Sequence, residues 1–215
     1  MTYIQLVNNV LRRLRETEVS TVNQTPYSTM VGDFVNDAKE LVEARHNWSA
    51  NRRELEIITV ADQRIYSLTG FGQNGDLLTY YNDTMNMELK KVSQHWMEHK
   101  NNTQPVPTGS VTYFTFRGLD ASDDAQIEVW PNPDDGEVLN FYFEKSQVIL
   151  ENDADEINIP HLPVIHLAVA MLAEEKGEAG GTTSARYFRM ADRFIADAIM
   201  SDMEKNREEW IWREV

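Results

Sequence analysis

Residues 95 to 99 read HWMEH. His95 and His99 stand four apart with Glu98 just before the second, which is the H-x-x-E-H spacing of the inverted zinc-peptidase motif. On a helix this spacing puts both imidazoles on one face, where they could share a zinc ion. Glu98 would then be the base acting on a metal-bound water. The surrounding residues argue against such a centre. Ser93 reads as an N-cap, and Asn101, Asn102 and Pro105 end anything helical, which leaves about two turns. A zinc site also needs a third protein ligand, and no acid or histidine is singled out for it. Trp96 and Val92, four apart, would instead pin a short helix to a sheet while the histidines face water. A zinc-dependent hydrolase using His95, Glu98 and His99 stays as the alternative reading.

A second chemical pattern is TGFGQNG, with Gly70, Gly72 and Gly75 in G-x-G-x-x-G spacing. A dinucleotide site needs a helix directly after the glycines, because its N-terminus holds the pyrophosphate. DLLTYY follows instead and reads as a strand, so the glycines are expected to form a hairpin loop. His161 and His166 are five apart and do not share a helical face. The acidic run ENDADE (151–156) lacks EF-hand spacing and reads as a solvated turn.

The segment EEWIWREV differs in kind. Trp210 could continue a helical stripe from Met203, but Trp212 is rotated from it by about 200°. In an extended conformation both tryptophans project to one side, with Ile211 opposite. Two indoles flanked by charges suit an anchor for a groove or a neighbouring sheet edge. The other possibility is a tail folded back on its own domain.

The elements that must carry these segments follow from periodicity. Ile4, Val7, Val10, Leu11 and Leu14 recur at helical spacing, and Thr2 with Gln5 reads as a capping box. Thr25 as N-cap with Pro26 at the first helical position starts a second helix, expected to end near Asn47–Trp48. Its apolar face runs through Tyr27, Met30, Val31, Phe34, Ala38, Leu41 and Val42. The period then changes to two. ELEIITV, RIYSL, DLLTYY, SVTYFTF, QIEVW and EVLNFYF predict a mostly antiparallel β-region.

Helices return after NIPHLP. Val164, Leu167, Ala168, Met171 and Leu172 form one face, and Gly177 is the expected stop. Thr183 or Ser184 starts a last helix. Tyr187, Phe188, Ala191, Phe194, Ile195, Ala198, Ile199 and Met203 make its stripe, with Arg186, Arg189 and Arg193 off it. The predicted fold class is α+β: a helical bundle of two N-terminal and two C-terminal helices with an inserted, mostly antiparallel β-domain. The expected divisions are 1–52 and 151–209 for the bundle, 53–150 for the β-domain and 210–215 for a docking tail.

The totals narrow the function. The chain has no cysteine, so disulfides and thiolate metal sites are excluded. It has no apolar run long enough for a membrane helix and no secretory signal pattern at its start. Its net charge of −15 repels phosphate and works against ordinary duplex binding. A different module whose β-region recognises sugar or protein is a further possibility, although the alternating aromatics read as core.

Four stretches carry a resemblance: FVNDAKELVEARHNWSANRRELEIITVADQRIYSLTG, PTGSVTYFTFRG, IEVWPNPDDGEVLNFYFEKS and INIPHLPVIHLAVAMLAEEKG. In this order they resemble the head-to-tail adaptor (connector) proteins of tailed bacteriophages, from about Tyr3 to Met203. The resemblance implies a structural virion protein with no catalytic or metal site and no cofactor. It implies a dodecameric ring of copies docked on the portal protein, joined to tail or nozzle proteins, with DNA passing through the lumen. The C-terminal segment of such proteins reaches the portal, a role that falls here on Trp210, Ile211, Trp212 and Val215.

Overall fold

A computed structural model of the chain describes residues 1–72, 75–103, 105–175 and 182–205. In chain order the elements are α1 (Tyr3–Arg13), α2 (Pro26–Glu43), β1 (Arg52–Ile58), β2 (Ile65–Ser67), β3 (Asp76–Asn82), β4 (Met87–Glu88), β5 (Lys90–Lys91), α3 (Gln94–Asn101), β6 (Tyr113–Leu119), β7 (Ala125–Trp130), β8 (Val138–Glu144), α4 (His161–Ala173) and α5 (Thr182–Lys205). The protein is therefore α+β, as its sequence predicts. It divides into two units, one of Met1–Asn51 with the described residues from Ser146 onward, the other of Arg52–Lys145. No helix among the described residues is long and apolar enough to cross a membrane.

In the helical unit, local chemistry sets the helix starts. The Thr2 amide donates to Gln5 Oε1 at 3.2 Å, the expected reach-back of a capping box. At α2, the Ser28 amide donates to Thr25 Oγ1 and the Thr25 amide donates to Ser28 Oγ, each at 3.0 Å. Pro26 sits at the first helical position, where a missing N–H leaves no bond unmade. The helix ends at Glu43, short of the expected Asn47–Trp48. Trp48 folds back instead, and its buried indole donates to the Val42 carbonyl at 3.1 Å. That bond serves one of the carbonyls a helix end leaves without an internal partner.

Helix α4 packs against α1, α2 and α5. The sequence suggests a single apolar face for it, yet nine of its 13 residues are buried, including Ile165, Val169 and Ala170 outside that face. A helix apolar on all sides belongs at the centre of a core. Two residues assigned to buried stripes are exposed: Leu41 at 49% and Met203 at 58%. The helix packing does not extend far enough round α2 and α5 to cover them. The expected stop at Gly177 lies outside the described residues.

The β-unit holds two four-stranded sheets, ordered β1-β8-β3-β4 and β2-β7-β6-β5. Among the described residues the named strands pair antiparallel except β5 with β6, and the isolated Thr108–Asn132 bridge is also parallel. On β1 and β8, Leu55 pairs with Phe141 and Ile57 with Leu139, so alternate residues enter the core. The two sheets share one apolar cluster, in which the Phe114 and Phe141 rings meet edge to face at 5.6 Å. β4 and β5, two residues each, have no counterpart in the sequence reading.

Candidate functional site

The HWMEH segment forms α3, a helix of eight residues. Ser93 is its N-cap, as predicted: the Trp96 amide donates to Ser93 Oγ at 3.2 Å. Met97 is the buried residue, while His95, Glu98 and His99 are exposed. Trp96 lies 4.8 Å from the Tyr113 ring and 5.7 Å from that of Trp130, and the Lys100 ammonium sits over both tryptophans. Trp96 and Met97 thus hold the helix, whereas Val92 is half-buried and its amide donates to the Phe114 carbonyl. Glu98 accepts from Gln94 Nε2 at 3.3 Å. It lines a cleft of about 310 Å³ with Arg64, Arg117 and Glu128. Glu128 is 8% exposed and accepts from Asn101 at 2.7 Å and Arg117 at 3.3 Å, with Arg64 at 3.9 Å. The cations of this cleft answer a carboxylate of the fold itself. Among the described residues no three His, Asp or Glu side chains gather as a metal ligand set.

The glycine segment is a loop between β2 and β3. Gly70 and Gly72 take φ of +83° and +69°, values a side chain would strain. Their amides donate to the two oxygens of Asp124, at 3.0 and 2.8 Å. The backbone donors that would cradle a phosphate elsewhere hold a carboxylate of the same chain here. A strand, β3, follows the loop.

The acidic run 151–156 is a turn, as expected, with a structural task. Asp155 accepts the amides of Glu151 and Asn152, at 2.9 and 2.8 Å. The carbonyls of Asp155 and Asp153 accept the Tyr3 and Ile4 amides, which supplies partners for the free donors at the start of α1.

Two polar clusters escape the sequence reading. In the first, Asp202 near the end of α5 accepts both the amide and the hydroxyl of Ser49, and His46 Nε2 lies 3.1 Å from its second oxygen. Burial pushes the Asp202 carboxyl up, but the Ser49 bonds, His46 and Lys205 outweigh it and leave the pKa below its ordinary value. A nucleophilic serine needs the imidazole beside its hydroxyl and the acid behind the imidazole. Here the carboxylate stands between serine and histidine, so the trio is a clamp. His166 stacks on Phe194 at 4.3 Å, and burial, with Arg13 nearby, lowers its pKa.

In the second cluster, Lys39 Nζ donates to Glu43 Oε2 and, at 2.6 Å, to the Gln147 carbonyl. Glu43 Oε1 accepts from Asn51 Nδ2 and from the Gln147 amide, both at 3.2 Å. A lysine and a glutamate four apart read as a surface pair. The available signal was position: Lys39 falls among Val35, Ala38 and Val42, all fully buried.

The expected docking residues Trp210, Ile211, Trp212 and Val215 lie outside the described residues. The last described residue of α5 is Lys205, three positions after the Asp202 clamp.

Each of these clusters bonds the chain's own loops and helix ends. The chain belongs to the SU10 adaptor protein family, whose family model matches residues 1–211, and so to the phage adaptors. No curated protein matches the chain.

Proposed function

We propose that the protein is a head-to-tail adaptor of the virion neck, whose copies form a dodecameric ring that docks on the portal and receives tail or nozzle proteins below. The observation that carries this reading is the family match over nearly the whole chain, which includes both units. The net charge of −15 supports a lumen through which DNA passes without specific binding, because fixed carboxylates repel phosphates. Trp210, Ile211, Trp212 and Val215 are the proposed docking residues. Electron microscopy of the protein mixed with its portal should show an added ring. Deletion of residues 210–215 should abolish it, and undiminished docking after that deletion would remove the tail from the proposal.

A further inference from the structure

The helical unit carries two exposed surfaces of different chemistry. The first is Val148–Ile149, exposed at 75% and 50%. Both flanks of this pair are pinned through both backbone groups. On one side the Gln147 amide and carbonyl bond Glu43 and Lys39. On the other, the Leu150 amide donates to Asn36 Oδ1 at 2.9 Å and its carbonyl accepts from Asn36 Nδ2 at 3.1 Å. Two branched apolar residues are thus held rigidly in water, with little ordering left for a contact to impose. Glu151, Asp155 and Glu156 line the cleft of about 560 Å³ beside them.

The second surface is the outer arc of α5. Arg186, Arg189, Arg193, Met200 and Met203 fall within about 100° of the helix, opposite the buried Ala191, Ile195 and Asp202. Met200 and Met203 are exposed at 65% and 58%. Asp197 and Glu204 border the methionine end. The arginine end of the arc gathers three cations in a chain of net charge −15, beside Asp192, which is already paired with Arg45 at 2.8 Å. The loop is bonded to α1 and α2, whereas α5 packs on α4.

We propose that the Val148–Ile149 loop of one copy docks on the outer arc of α5 of a second copy. Val148 and Ile149 meet Met200 and Met203, and Glu151 and Glu156 meet the arginines. Because the two surfaces differ, the contact is heterologous: each copy keeps one surface unfilled until a ring closes. The inference rests on the ring reading above and assigns its surfaces.

The test uses the full chain, free and on portal rings, followed by sedimentation and electron microscopy. Val148→Asp/Ile149→Asp removes the loop, and Arg189→Glu/Met200→Asp removes the arc. All four side chains are exposed, so both variants should melt as the wild type does. Each alone should remain a monomer. Their equimolar mixture should yield a dimer and nothing larger, since one intact loop meets one intact arc. Arg189→Glu alone should weaken assembly about tenfold, and adding Glu151→Arg should restore it, which keeps the test sound if a double variant misfolds. Wild-type rings unaffected by these changes, or a mixture that stays monomeric, overturn this inference and leave the adaptor reading standing. A wild-type chain that never multimerises, free or on the portal, overturns the ring reading as well.

Discussion

Lys39 Nζ lies 3.1 Å from Glu43 Oε2, and the two side chains are 0% and 1% exposed. Removing one member of such a pair strands a charge in the core. Lys39→Met should therefore cost about 3–5 kcal/mol in urea unfolding, while Lys39→Met/Glu43→Leu should recover most of the loss. A Lys39→Met protein as stable as the wild type would contradict the buried pair.

Gly32 on α2 faces Tyr3. A Cβ at this position would overlap the Tyr3 hydroxyl and lie 2.8 Å from Val22 Cγ1. Alanine ordinarily stabilises a helix interior by about 1 kcal/mol over glycine. Here Gly32→Ala should instead destabilise by about 1–3 kcal/mol, the cost of overpacking. Thermal melts of Gly32→Ala, and its partial rescue by Tyr3→Phe, separate packing from propensity.

Burial, with Asp33 and Asp153 nearby, pushes the Tyr3 phenol from 10.0 up to about 12. The folded state holds this proton more tightly than the unfolded state. Its contribution is full below pH 10 and is lost as pH rises from 10 toward 12. Tyr3→Phe should remove that part of the alkaline decline in denaturation midpoints.

His166 has the opposite sense. Its folded pKa lies below 6.5, so the unfolded state binds the proton more readily. Stability from this group is full above about pH 6.5 and falls as pH drops below it. His166→Leu should flatten that acid-side slope in unfolding measured from pH 7 down to 5.

His95 and His99 are exposed, and α3 is held by Trp96 and Met97. Purified protein should carry no stoichiometric zinc, and His99→Ala should change neither metal content nor melting temperature. Bound zinc that disappears with His99→Ala would revive the hydrolase.

What the sequence makes legible is local. Thr2, Thr25 and Ser93 mark helix starts because capping acts over three residues. The six longer strands show in alternation, but β4 and β5 are too short to have a period. The limits of burial are set between elements, so Leu41 and Met203 read as core while their neighbours leave them wet. Lys39 and Glu43 were hidden for the reverse reason: side-chain charge suggests water, and only the packing of α2 shows that water is excluded. The H-x-x-E-H spacing was plain, but its meaning depended on which side of α3 the sheet covers.

One oxygen of Glu43 receives both Asn51, the last residue before the β-unit, and Gln147, just after the chain returns. Within the helical unit, the two chain ends that flank residues 52–145 are therefore held together at the end of α2. Such a doorway suits the exchange of whole modules between genes. A linker of a few residues from Asn51 to Gln147 should close the helical unit without the β-unit, and other inserts of similar end spacing could be grafted there without redesigning the helices.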